Sequence, residues 1–180
     1  MELVINKKKQ KLPGNLRTKC FITNPNNCDR EDIIALYKDN RDTLSIPFSR
    51  VFDAMIDNKN FWILRDKKTH ELIGMCGIKL KPRKLEYEIE HLVVNKKYRK
   101  HGYARILLYV AFTFFTPDKN RKRLFADLTL PVCAYANVGA ENNQFYNAIS
   151  NDRSVVHKKT MDLIRYVLDI DKIESEVIRL

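Results

Sequence analysis

Apolar positions along the chain follow two periods, and the switches between them mark out the elements. Ile33, Ile34, Leu36 and Tyr37 recur at helical spacing behind Asp29, a predicted N-cap with Asp32 at the third position. A second helix is predicted to start near Ser45-Ile46-Pro47. Its stripe of Phe48, Val51, Phe52, Met55 and Ile56 has the 3, 4, 7, 8 spacing of one buried face. Strands are predicted at residues 17–23, 61–65, 72–80 and 85–94. A turn rich in Pro and Asn follows the first, and the polar "DKKTHE" turn joins the second and third into an antiparallel hairpin. Beyond Gly102, residues 103–116 read as a helix ended before Pro117. Residues 124–130 then read as a strand, 141–149 as a short helix and 163–170 as a late strand. There is no internal repeat, linker or low-complexity segment, so the pattern predicts one α+β domain with a central, mostly antiparallel sheet flanked by helices.

Composition narrows the class. At 180 residues and 44% hydrophobic content the chain can bury a core of its own. Its longest uncharged apolar run, residues 106–115, is well short of the roughly 20 residues that span a bilayer. The opening "MELVINKKKQK" lacks a signal-peptide pattern, and a soluble cytoplasmic protein is expected. Residues 1–16, with Lys7, Lys8, Lys9 and Lys11, are expected to be a flexible basic tail on a domain spanning 1–180. Cys20, Cys28, Cys76 and Cys133 are spaced too widely for a zinc knuckle or redox pair, so buried free thiols and no metal are expected. A nucleophilic Cys133 would want a His–Asp companion, and none is visible. The net charge of +11 favours an anionic partner, either a phosphorylated small molecule, nucleic acid or a membrane surface.

Chemistry concentrates after residue 85. Strand alternation puts Leu85, Tyr87, Ile89, His91 and Val93 on one face and Glu86, Glu88, Glu90, Leu92 and Val94 on the other. Three carboxylates in a row are surface charges if that face is solvated. If part of it lines a cleft, repulsion and desolvation raise at least one toward neutrality. Gly102, one of only five glycines, then falls between this strand and an apolar helix, among Lys96, Lys97, Arg99, Lys100 and His101. A helix N-terminus offers free N–H groups and partial positive charge. A residue without Cβ there lets a phosphate approach, so strand, basic loop and helix suit a pyrophosphate.

Arg99-Lys100-His101-Gly102-Tyr103-Ala104 fits the pattern Arg/Gln-x-x-Gly-x-Gly/Ala, and "EIEHLVVNKKYRKHGYARILL" resembles the fourth strand, loop and third helix of the Gcn5-related N-acetyltransferases. The order of elements resembles that family over nearly the whole chain. The resemblance implies acetyl-CoA as co-substrate and acetyl transfer to a primary amine of a small molecule or protein, through a ternary complex. It implies pantetheine pairing with the backbone of Leu92, Val93 and Val94, and pyrophosphate on the amides of Arg99, Lys100, His101, Gly102, Tyr103 and Ala104, with charge from Lys100 and Arg105.

Glu88 and Glu90 hold the two positions where relatives carry a base or a water-holding acid. Tyr146 holds that of a tyrosine that protonates the departing thiolate, or it packs on the core with its hydroxyl at the rim. The family's pantetheine-contacting asparagine, seven residues before that tyrosine, is here Gly139, with Asn137 and Asn142 nearby as substitutes. His91 reads as a packed or partner-bound histidine pointing away from the glutamates, and His70 and His157 have no visible partner. The rival reading is a non-catalytic CoA-binding protein or a basic nucleic-acid module. The scattered basic residues, and aromatics that lie on apolar stripes, disfavour nucleic acid. Membrane partners are not expected, the acceptor amine is unidentified, and a homodimer is left open.

Overall fold

The computed structural model describes residues 19–40, 49–56, 58–81, 83, 86–115, 133–138, 143–157, 162–169 and 172–173. The expected tail, the start of the second helix, the expected strand at 124–130 and Asn142 lie outside the described residues.

Seven strands form one sheet in the order β1-β2-β3-β4-β5-β7-β6. They are β1 (Cys20–Thr23), β2 (Phe61–Asp66), β3 (Leu72–Lys81), β4 (Glu86–Val94), β5 (Cys133–Val138), β6 (Ser150–His157) and β7 (Asp162–Leu168). All neighbours run antiparallel except β4 and β5, which are parallel. Helices α1 (Arg30–Asp39) and α2 (Ser49–Met55) cover one face, while α3 (Tyr103–Phe115) and α4 (Asn143–Ala148) pack on the other. This is the expected α+β class.

Each face of the sheet has its own core. Ile33, Leu36, Tyr37, Phe52 and Met55 of α1 and α2 bury against Phe61, Ile63, Met75 and Val93. On the far side Ile106, Leu107, Leu108 and Ala111 of α3 bury against Trp62, Leu64, Cys76, Ile78, Tyr87 and Ile89. The 3.6-residue stripes read in the sequence are the faces that meet the sheet. Asp29 stands at the N-cap position of α1 as expected but makes no side-chain cap there; the capping box belongs to the 3-10 turn Asn27–Asp29 just before it, with Asn26 as its cap. The Asn26 carboxamide oxygen accepts from the Cys28 N–H at 2.8 Å, and the Asp29 carboxylate accepts from the Asn26 N–H at 2.8 Å. Asp29 and Asp32 instead take the Arg65 guanidinium, at 2.7 and 2.6 Å, tying α1 to β2.

Two strands went unforeseen. Cys133–Val138 pairs with both β4 and β7, and Ser150–His157 is the outermost strand, exposed from Asn151 to Val155. An edge strand with little to bury has no need of alternating apolar residues, and "SNDRSVVH" shows almost none. Cys20 and Cys76 are the buried thiols expected, but Cys28 is exposed.

Candidate active site at the parting of β4 and β5

The β4–β5 register runs from Glu86↔Cys133 to Glu88↔Tyr135 and stops there. β5 continues against β7, so from Ile89 to Val94 the strand has no register partner in β5. On its other side β4 stays paired to β3, with one irregularity. Gly77 sits opposite Glu90 and Met75 opposite Val93, so β4 carries one residue more than its partner between these points. His91 takes φ 55 there, a left-handed conformation disfavoured for a residue with a Cβ.

That bulge reverses the parity of the strand. Tyr87 and Ile89 face α3 as alternation predicts, but His91 and Val93 turn toward α1 while Leu92 and Val94 pack with the α3 core. His91 therefore lies on the glutamate side and not away from it, correcting the alternation drawn through residues 85–94. Its partner is the Tyr37 hydroxyl, hydrogen-bonded to Nδ1, and the ring sits between Tyr37 and Phe61, with centroids at 6.0 and 5.8 Å. Burial, with a smaller contribution from the Lys79 charge, lowers the His91 pKa to about 4, so the imidazole is neutral at pH 7.

The three glutamates have different surroundings. Glu86 accepts from Arg165 of β7, and its second oxygen is buried with no hydrogen-bond partner among the described residues. Glu88 is paired with Lys81 Nζ at 3.0 Å. Glu90, the last residue before the bulge, is 3.5 Å from Lys79 Nζ. Burial raises its carboxyl above the usual range. Lys79 opposes that shift, and the neighbouring Glu88 charge adds to it. Glu90 in turn pushes the Tyr37 phenol up, after the larger effect of burial.

Beyond Val94 the chain makes a short 3-10 turn (Lys96–Tyr98), capped by the Asn95 side chain, which accepts from the Lys97 N–H at 3.2 Å. Lys100 and Gly102 then take φ 65 and 82. The Gly102 carbonyl accepts from the Arg105 and Ile106 N–H groups at 3.0 and 3.2 Å, so α3 starts directly behind it. The amides of Tyr103 and Ala104, in the first turn, have no carbonyl of their own helix to bond. Lys100 and His101 are exposed beside them.

Two anchors hold this loop. Lys97 and the Tyr98 hydroxyl both donate to Glu71 in the β2–β3 turn, and the Arg99 guanidinium donates to Asn40 and, at 3.4 Å, to the Val94 carbonyl. The Arg99 side chain is thus fastened to the end of α1, while its N–H closes the 3-10 turn on the Lys96 carbonyl at 3.3 Å. Arg105 lies over the Phe145 ring, 5.8 Å from its centroid. Tyr146 is buried and stacked on Tyr166 at 5.5 Å, and burial pushes its phenol far up.

The fold brings Glu88, Glu90 and residues 92–94 onto one strand, with Arg99, Lys100, His101, Gly102, Tyr103, Ala104 and Arg105 at its end. Asn137 is on β5, paired with Arg165 of β7 and past the end of the β4 register. Tyr37 and Asn40 were not foreseen in the site. Their partners, His91 and Arg99, are 54 and 59 residues away, and no local pattern encodes a contact at that range. A cleft of about 430 Å³ lies between α1 and the β2–β3 turn, lined by Asp32, Asp39, His70, Glu71 and Asn95. Among the described residues, no group of three or more His, Cys, Asp or Glu could hold a metal, and no helix is long and apolar enough to cross a membrane.

Beyond Glu88 the strand is free of its parallel neighbour, it bulges after Glu90, and it leads into a glycine-headed helix N-terminus with basic flanks. Residues 30–139, more than half of the chain, match the model of the acetyltransferase (GNAT) family, and the chain belongs to that family.

Solved structures agree in fold. Diaminobutyrate acetyltransferase EctA from Paenibacillus lautus, in complex with L-2,4-diaminobutyric acid and coenzyme A, superposes with a TM-score of 0.60 at 14% identity, covering 84% of this chain and 95% of that one. NAA60 from Arabidopsis thaliana, bound to a bisubstrate analogue, gives 0.56 at 20%, covering 83% and 95%. N-acetylglutamate synthase from Neisseria gonorrhoeae, with coenzyme A and N-acetyl-glutamate, gives 0.57 at 16% over 83% of this chain. The chain spans only 35% of that longer protein. No curated protein matches the sequence.

Proposed function

We propose that this acetyltransferase moves the acetyl group of acetyl-CoA directly to a primary amine, in a ternary complex, with Glu90 as the general base. The observation that carries this reading is the Glu90 carboxyl itself, raised by burial and placed between the end of the β4–β5 register at Glu88 and the bulge at His91. An alkylamine is mostly protonated at pH 7, and freeing it costs about 4.6 kcal/mol. A carboxylate of raised pKa can take that proton, directly or through a water. The amine, now neutral, attacks the thioester carbonyl, whose oxygen is polarised by a strand amide such as that of Val94. The attacking nitrogen then carries one proton too many, and that proton passes to the sulfur as the C–S bond breaks, releasing the amide and the CoA thiol. The family resemblance gives Tyr146 the role of proton donor to the sulfur, and its phenol is protonated at pH 7, but burial raises it far up and so works against that transfer.

Both glutamates are ion-paired, Glu88 with Lys81 at 3.0 Å and Glu90 more loosely with Lys79 at 3.5 Å, and Glu90 is preferred because burial raises its carboxyl despite that pair. Direct transfer is what the family resemblance implies; the buried thiols of Cys20 and Cys76, both raised by burial, are unsuited to act as nucleophiles. Pyrophosphate seated on the amides from Lys100 to Ala104 would hold the cofactor, with pantetheine along Leu92 to Val94; the Arg99 amide, expected to join them, is spent on the Lys96 carbonyl. That EctA was crystallised with diaminobutyric acid supports an amine acceptor on this fold.

The test is thiol release from acetyl-CoA in the presence of small amines, peptides and protein N-termini. Release dependent on one acceptor class supports the reading. Silence across the panel from a folded, CoA-binding protein would favour a non-catalytic CoA-binding module.

A further inference from the structure

Helix α1 touches both halves of the cofactor site. Tyr37 and Asn40 lie three residues apart, on neighbouring positions of the helix surface. The Tyr37 hydroxyl bonds His91 Nδ1, while its ring is fixed edge-on against Phe52 at 5.4 Å. His91 is the residue whose left-handed backbone makes the bulge. Asn40, fully buried, donates from Nδ2 to the Leu36 carbonyl at 2.6 Å, and its Oδ1 accepts from Arg99. Arg99 opens the loop in which Lys100 and Gly102 take positive φ, and its Nε also reaches the Val94 carbonyl. Two backbone segments in disfavoured conformations are thus each held by a side chain of the same helix. Neither Tyr37 nor Asn40 belongs to the pattern that marks the family.

We propose that Tyr37 and Asn40 are positioning residues for acetyl-CoA: α1 holds the β4 bulge through Tyr37–His91 and the pyrophosphate loop through Asn40–Arg99, and so sets the spacing between the two. This rests on the reading of the bulge and the loop as the thioester and phosphate halves of one site. The halves are separable by ligand. Coenzyme A engages both, whereas 3′-phospho-ADP carries the phosphates without the pantetheine arm and engages only the loop.

The experiment is calorimetric titration of the full-length protein with each ligand, for wild type, Tyr37→Phe, Asn40→Ala and Asn40→Asp. Tyr37→Phe keeps the ring and leaves His91 Nδ1 buried without its partner. It should weaken coenzyme A about tenfold and leave 3′-phospho-ADP within about twofold of wild type. Asn40→Ala should weaken both ligands about tenfold, and Asn40→Asp, which keeps an acceptor for Arg99, should recover most of that loss. If Asn40→Ala does not fold, Tyr37→Phe and Asn40→Asp still decide. The proposal is overturned if folded Tyr37→Phe binds coenzyme A as wild type does, or if it weakens both ligands by the same factor. A wild-type protein that binds neither ligand would refute the cofactor assignment itself, and the proposal with it.

Discussion

Replacing Gly102 by valine should separate folding from cofactor binding. Gly102 has φ 82, and its carbonyl starts α3 by accepting from Arg105 and Ile106. An ordinary L-residue in a left-handed conformation costs roughly 1–2 kcal/mol, and valine is at the upper end because its branched Cβ crowds the backbone. In a domain of this size each kcal/mol moves Tm by about 2–4 °C, so a fall of roughly 4–8 °C is expected. The domain stays folded because Ile106, Leu107 and Leu108 are fully buried, each contributing about 1.5–3 kcal/mol. Binding fares worse. The branched side chain stands where the pyrophosphate approaches the first-turn amides, and each charge-assisted bond lost is worth about 1.5–3 kcal/mol. Losing two would weaken coenzyme A by a hundredfold or more. Calorimetric titration reads the affinity and a melting curve the fold. An unchanged dissociation constant in a folded Gly102→Val protein would remove the loop from the cofactor site.

Gly77 offers a test of packing alone: a Cβ there would lie 2.2 Å from Phe61 Cε1, so Gly77→Ala should destabilise by about 1–3 kcal/mol, measured by urea unfolding. His91 predicts a pH dependence. Its pKa falls from 6.5 to about 4 on folding, so the unfolded chain binds more protons between those values. Stability is therefore lost as pH drops through that window, by up to about 3 kcal/mol. Glu90, whose carboxyl is raised, acts with the opposite sign, so the effect is read as the difference between wild type and His91→Asn. Equal pH–stability curves for the two would show that His91 does not titrate across this window.

The parts of the site that were legible in the sequence are those whose signal is local. Gly102 between a strand and an apolar helix announced the loop, and the helical stripes of α1, α2 and α3 named the residues that bury. The reversal of β4 was not legible, because histidine gives no sign of a left-handed conformation as glycine does. Arg99 was read as a phosphate ligand from its place in the motif. Its side-chain partner, Asn40, is set by tertiary packing that no short pattern contains. β6 lacked an apolar rhythm because as an edge strand it has little to bury.

The central claim is that Glu90 takes the proton from the acceptor amine, and Glu90→Gln tests it most directly, since glutamine keeps the shape and removes the proton affinity. Turnover with the true acceptor would be followed from pH 6 to pH 10 for wild type and variant, alongside acetyl-CoA affinity. At pH 7 the variant should be slower by about a hundredfold or more, with affinity barely changed. Its rate should partly recover near pH 10, where the free amine is abundant without help. A Glu90→Gln enzyme with wild-type turnover at pH 7 and the same pH profile would contradict the account.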